Sequence, residues 1–275
     1  MPRSPTAFLS RIASALCLAS FGATFVATQA WALDGGDDTA RLLSFGGVCL
    51  NCELSGRKLP DAKFMGANFS GASMVGSDLH GAYFFGSDFA GTDFSHADLH
   101  GSVLFGSDFA NSNFTDANLS GVRGHGSAFC SANLTGANFE GANLIGANFV
   151  KVNARDGQFA SAVFFGASLS QGHFERASFR GANLVGADLN GSIFTGADFT
   201  GANFAHTDLA GADLAGARGL TQAQIDMACS TSTTRLPSGL TPKSCKLGMG
   251  VIMLHATAPI HGPPPPHYIV EMGGF

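Results

Sequence analysis

Ala182-Asn183-Leu184-Val185-Gly186, Ala187-Asp188-Leu189-Asn190-Gly191 and Ala197-Asp198-Phe199-Thr200-Gly201 carry the pattern that decides the fold. From Leu54 to Leu214 an apolar residue, almost always Leu or Phe, stands at every fifth position, with no insertion or deletion. A small residue, mostly Ala or Ser, stands two places before it. No compact globular fold needs such strict phase. A fixed short period is the signature of a solenoid, in which each repeat buries its apolar side only by stacking on its neighbours.

In an extended segment side chains alternate in direction, so the bulky residue and the small one before it point the same way, inward. The Asn or Asp between them points out. Glycine, 37 residues of the chain, marks corners, where it accepts dihedrals that other residues resist. The A-(D/N)-(L/F)-x-G pattern resembles the pentapeptide-repeat family, and the resemblance covers residues 54–218. It implies an all-β fold, a right-handed four-sided parallel β-helix with one quintet per side, four quintets per coil and about eight coils. Members of that family range from gyrase-protecting DNA mimics to proteins of unassigned function, so the resemblance does not supply an activity.

A coil of four quintets sorts the positions by face. One face stacks Phe69, Phe89, Phe109, Phe129 and Phe149, then Leu169, Leu189 and Leu209. Another stacks Leu59, Leu79, Leu99 and Leu119, then Phe139, Phe159, Phe179 and Phe199. The phenylalanine ladder therefore changes face near the middle, as a lumen of fixed width requires, and stacked rings gain offset and edge contacts. Gly124 and Ala154 break the bulky rule, with Val122 and Val152 two places earlier. A local bulge is expected there, with Arg123 and Arg155 exposed.

The ends differ from the repeat. Residues 1–32 read as a signal peptide: Arg3 and Arg11, an uncharged run from Ile12 to Val26, and an Ala30-Trp31-Ala32 cleavage site. An uncleaved anchor is the alternative, but the run is short of the about 20 residues a spanning helix needs. Leu16 before Cys17 argues against a lipoprotein site. Residues 33–53 form an N-terminal cap with the C-x-x-C of Cys49 and Cys52. Residues 219–246 form a C-terminal cap, with a short helix opened by the capping box of Thr221 and Gln224. Cys229 and Cys245 lie in that cap. Disulfides within the two pairs would staple both ends in an oxidising compartment. A shared zinc site is opposed by their separation along a solenoid, and haem attachment by Glu53 where His is required. Residues 247–275, with Pro263 to Pro266, read as a mobile Pro-rich tail.

The net charge is −5 and becomes more negative once Arg3 and Arg11 leave with the leader. No basic stripe is present, which argues against nucleic-acid binding.

Three outward constellations could carry function. The first is an apolar stripe on one face: Met65, Tyr83, Phe85, Val103, Phe105, Ile145, Val163, Phe165 and Val185, where other faces carry mostly small or polar residues. The second is an acid and imidazole array. Asp78 with His80, and Asp98 with His100, stand one coil apart, with His96 on the neighbouring side, and could ligate Zn²⁺ or Cu²⁺. A solvated face of an Asp-favouring repeat is the competing reading. The third is a set of acidic rows, Asp88, Asp108, Asp188 and Asp208. No nucleophile with a base and an orienting acid can be assembled, a packed lumen leaves no room for substrate, and Cys130 reads as an exposed, isolated thiol.

The expectation is a non-catalytic structural or protein-interaction rod, periplasmic or secreted, needing no cofactor. Its partner is a protein or a second copy of itself, with no nucleic acid and no membrane after signal cleavage. Two alternatives are a topoisomerase-binding DNA mimic, and a metal-binding or enzymatic role for the Asp/His array.

Overall fold

The computed structural model describes residues 44–45 and 47–244. The expected signal peptide, most of the N-terminal cap, Cys245 and the Pro-rich segment lie outside these residues. The chain divides into two units, Met1–Cys245 and Lys246–Phe275, and the described residues all belong to the first.

The corner is the element from which the fold is built. From Asn51 to Gly216 every fifth residue has positive φ, between +54° and +74°, whether or not it is glycine. Around Gly71 the Phe69 carbonyl accepts from the Ala72 N–H at 3.0 Å across Ser70-Gly71, with φ +70° at Gly71. A type II turn needs that sign of φ at its third residue. Four such corners bring the chain back above its start. Parallel bridges then join residues one coil apart, Asn68 to Asp88, Ser73 to Asp93, Asp78 to Asp98 and Tyr83 to Val103, and continue to Asp198 and Arg218. The Phe69 N–H donates to Asp88 C=O and the Asp88 N–H to Ala67 C=O, both at 2.8 Å. The result is the four-sided parallel β-helix.

On one face the turn is modified. The Ser87 hydroxyl accepts from the Ala67 N–H at 3.1 Å and donates to the Phe64 carbonyl at 3.0 Å. Ser107 does the same between Ser87 N–H, 3.2 Å, and Phe84 C=O, 2.8 Å. A hydroxyl from the next coil thus stands in for the turn's own bond. At these levels the extended runs lengthen into β2 (Lys63–Met65) and β3 (Tyr83–Phe85), with β1 (Ser44–Phe45) pairing parallel to β2.

The lumen is a stack of rings. Phe89 to Phe109 is 5.7 Å and Phe109 to Phe129 is 5.1 Å between centroids, with planes 18° and 15° apart. The ladder hands over through Phe139, edge-on to both Phe129 and Phe149 at 5.8 Å. It continues through Phe159, Phe179 and Phe199 at 5.4, 4.9 and 5.2 Å.

The expected bulge at Gly124 and Ala154 does not form. Gly124 N–H reaches Asn143 C=O at 2.8 Å and Ala154 N–H reaches His173 C=O at 2.7 Å, as in regular coils. No hole remains at Gly124, because a Cβ there would lie 3.0 Å from both Leu144 Cδ2 and Ser127 Oγ. Arg123 is exposed as expected. Arg155 is half-buried, because it bonds Asn153, His173 and Glu175.

Outward Asn and Asp have a structural task. Asp88 Oδ1 accepts from Ala90 N–H at 3.0 Å, Asp108 from Ala110 at 2.8 Å and Asn183 from Val185 at 3.2 Å. The side chain satisfies an amide at the turn that the ladder leaves free, the same logic as a helix N-cap or an Asx turn.

At the C-terminal end the register grows: Asp208 pairs with Cys229 and Asp213 with Arg235. The helix α1 (Gln222–Met227) fills this excess, with Thr221 and Gln224 in a reciprocal capping box. Gln224 Nε2 also donates to the carbonyls of Phe199 and Ala202, at 3.2 and 2.8 Å. Ile225 is fully buried and closes the lumen. Cys49 and Cys52 are bridged. Cys229 is disulfide-bonded, while its expected partner Cys245 lies outside the described residues.

Removing one ring should cost far more than removing one outward acceptor. Phe109→Ala is expected to destabilise by about 3–5 kcal/mol and Asp108→Ala by about 1 kcal/mol. Equilibrium urea unfolding of both variants checks the order.

Candidate interaction face

One side of the coil stack is built from the quintets centred on Phe64, Phe84, Leu104, Gly124, Leu144, Phe164, Leu184 and Phe204. The outward neighbours of these residues are the sequence-derived apolar stripe. Five are well exposed: Met65 47 %, Tyr83 42 %, Phe85 55 %, Ile145 38 % and Phe165 52 %. The structure corrects the stripe's continuity. Val103 is buried, and Phe105, Val163 and Val185 are half-buried. Phe105 is covered from its own neighbouring coil, with the His125 ring stacked at 5.0 Å and the Arg123 guanidinium 5.5 Å above it. The stripe is therefore two exposed clusters, Met65/Tyr83/Phe85 and Ile145/Phe165, separated by a cationic band.

The flank of this face is unusual. The corner column is glycine in seven consecutive coils, Gly66, Gly86, Gly106, Gly126, Gly146, Gly166 and Gly186, with His206 after them, and at each of these glycines a Cβ would meet nothing within 4 Å. Packing does not impose this. Lys151, Gln171 and Arg176 hold the same backbone sign at other corners, with φ near +60°. Glycine there leaves the rim free of side chains and the backbone open to close approach. The outward positions from Lys63 to Ala205 on this face also carry no carboxylate; their charged residues are Lys63 and Arg123, with the imidazole of His125.

The acid and imidazole array forms two stacked pairs. The His80 and His100 rings lie 5.1 Å apart and nearly parallel. His80 Nδ1–H donates to Asp78 Oδ1 at 2.6 Å, and His100 Nδ1–H to Asp98 Oδ1 at 2.9 Å. Each carboxylate is thereby committed to the imidazole beside it. Among the described residues no three His, Cys, Asp or Glu side chains converge on one point. His80 is raised above the usual imidazole value, first by the hydrogen bond to Asp78, against partial burial, and then by the charges of Asp78, Asp61 and Asp98. For Asp98 burial works upward, but the bonds from His100 and Asn118 outweigh it and lower the group.

Asp88, Asp108, Asp188 and Asp208 each accept a backbone N–H two residues on. Their row is interrupted by Ala128, Asn148 and Ser168. Cys130 is free and half-buried, not exposed, and burial, with Asp108 nearby, raises its thiol, the opposite of an activated nucleophile. Reading of the sequence missed one polar cluster. Arg155 bonds Glu175 at 2.9 Å and Arg176 holds Asp156 through both oxygens. Opposite charges twenty residues apart were the available signal.

A family model described as pentapeptide repeats matches in eight copies, over residues 49–86, 62–101, 82–121, 125–156, 158–196 and 192–223. Similar solved structures include HetL of the cyanobacterium Nostoc sp. strain PCC 7120, a pentapeptide repeat protein involved in heterocyst differentiation regulation. HetL is 25 % identical over 71 % of this chain and 87 % of its own, with TM-score 0.39. QnrB1, a plasmid-mediated fluoroquinolone resistance protein, is 19 % identical over 68 % of this chain and 93 % of its own, with TM-score 0.44. A pentapeptide repeat protein from the Arabidopsis thaliana thylakoid lumen is 29 % identical over 43 % of this chain and 74 % of its own, with TM-score 0.27. No curated protein sequence matches the chain.

His80 gives a pH test of the paired geometry. Its folded value is raised above 6.5, so its contribution to stability is complete below the ordinary imidazole value and is lost as pH rises through the raised one. Proton NMR titration should find His80 above 6.5, and Asp78→Asn should return it toward the ordinary value.

Proposed function

This chain belongs to the pentapeptide-repeat family, and we propose that it serves as an exported, non-catalytic protein-interaction scaffold whose docking surface is the acid-free aromatic face. The single observation that carries this reading is the exposure of Tyr83, Phe85 and Phe165 beside an unbroken glycine rim. Large exposed apolar side chains in a common plane mark interaction sites, and aromatic residues supply much of the binding energy where interfaces are well packed. Lumen packing is complete without them, so they do not serve the fold.

Export is supported by the leader-like residues 1–32 and by disulfide bonding at Cys49, Cys52 and Cys229. Disulfides persist in oxidising compartments. The non-catalytic part of the reading rests on the filled lumen and on carboxylates committed to turn amides. The DNA-mimic alternative would want a dense row of free carboxylates, and the interrupted Asp88 to Asp208 row does not supply one.

A photo-crosslinking residue placed at Phe85 should yield protein adducts in the source cell, and the same residue at Thr195, on the opposite face, should not. Equal adducts at both positions, or none at Phe85, would defeat the proposed docking surface. Mass spectrometry of the protein from the secreted or periplasmic fraction should find Leu33 as its first residue; a cytoplasmic chain beginning at its initiator would reject export.

A further inference from the structure

The rows on the aromatic face are arranged almost symmetrically about Arg123 and His125. Reading outward from His125 along its column, Phe105 is mirrored by Ile145, Phe85 by Phe165 and Met65 by Val185. In the companion column Tyr83 is mirrored by Val163 about Arg123. A two-fold axis lying in the face, perpendicular to the coil stack, would bring every one of these mirror pairs together between two copies. An isologous interface has this property: residue i meets j and j meets i.

We propose that the occupant of this face is a second copy of the same chain, docked face to face and antiparallel. This inference rests on the reading of the face as an interaction surface. Three observations favour it. The first is charge. Each of the other three faces carries carboxylates, such as Asp88 and Asp108, Asp93 and Asp213, or Asp78 and Asp98. In a chain of net charge −5, pairing through any of them would oppose like charges. The acid-free face is the side on which two copies can meet without that cost.

The second is area. The five exposed side chains each leave on the order of 100 Å² uncovered, taking about 200 Å² for a large side chain. Two copies would then bury about 1,000 Å² from these alone, near the lower bound for a specific interface. The third is the rim. Two sheet faces pack about 10 Å apart, and side chains at the corners would hold them further apart. The glycine column removes them along one edge from Gly66 to Gly186, with His206 at the last corner.

Orientation follows from pairing. A parallel two-fold arrangement would set each column against the other at the same level, placing Met65 on Lys63 and Ile145 on Asn143 of the second copy. The antiparallel arrangement sets Phe85 on Phe165, Phe105 on Ile145 and Met65 on Val185, so the column that holds the exposed phenylalanines is apolar against apolar away from His125. In the companion column Tyr83 meets Val163, while the buried Val103 lies opposite Asn143 and Lys63 opposite Asn183. Arg123 then lies near its counterpart at the axis. Each guanidinium stays over its own Phe105 ring, and the like charge keeps the dimer reversible.

The test uses the exported protein carrying Cys130→Ser, so that no free thiol remains among the described residues, and single cysteines treated with a short bis-maleimide. His125→Cys should cross-link to itself. Phe85→Cys and Phe165→Cys should each cross-link poorly alone and strongly when mixed. The unsubstituted protein should sediment as a dimer that becomes monomeric with Phe85→Ser and Phe165→Ser together. Strong self-cross-linking of Phe85→Cys would overturn the antiparallel orientation. A monomer with no cross-link would overturn the second copy as occupant; the interaction face would still stand if position 85 yielded adducts with a different protein, and both readings would fall if it yielded none.

Discussion

One left-handed residue in every quintet sets the whole molecule. Because φ stays between +54° and +74° at every fifth position from Asn51 to Gly216, each side of the coil has the same length and each coil the same number of residues. Residues twenty apart must then superpose, and any property of a sequence position becomes a property of a face. The cost is real, since non-glycine residues resist this region. It is met even by Lys151 and Arg176, which hold φ of +60° and +61°. What offsets it is the continuous backbone ladder, where every coil supplies partners to the coils above and below.

The corners would leave a hollow tube without the lumen. The ring ladders fill it at van der Waals distance, and small residues two places earlier make the space. Where that position is Ser or Thr, the buried hydroxyl in most coils turns to a nearby backbone carbonyl: Thr92 reaches Phe69 C=O at 2.9 Å and Ser192 reaches Leu169 C=O at 2.7 Å. A buried hydroxyl without an acceptor would cost roughly 1–3 kcal/mol. The repeat thus accepts Ser or Thr in place of Ala at most of these positions because the adjacent turn presents a carbonyl; Ser102, whose buried hydroxyl has no partner, is the exception.

Most of the fold was legible because a five-residue period constrains every level at once. The Phe89, Phe109 and Phe129 stack, the capping box at Thr221 and the parallel pairing all follow from spacing. Local departures were less legible. A bulge at Gly124 was expected from the missing side chain, but Leu144 and Ser127 supply the volume from neighbouring positions, and the ladder overrides the local defect. Asp at outward positions read as surface charge, yet many of these carboxylates are bound to a turn amide, a role that only three-dimensional proximity reveals. The stripe was legible as a set of positions but not as a surface, because burial of Val103 and the cover over Phe105 depend on which neighbour each side chain leans against.

The separation of inside from outside is what gives the exposed aromatics meaning. In a globular domain an exposed phenylalanine is often the spare end of a core that could not close. Here the lumen closes on its own, with Phe84 and Phe164 fully buried beside Phe85 and Phe165. The outward residue can therefore change without disturbing the inward one. The fold is indifferent to Ser, Thr or Ala at such positions, which is what the other faces mostly carry. Aromatic residues at these sites, flanked by bare glycine corners and freed of carboxylates, satisfy no requirement of the coil. A sequence that otherwise follows its own repeat so closely departs from it together in side-chain size, rim and charge, all on one face. Local departures that serve no folding need are the ones to assign to function.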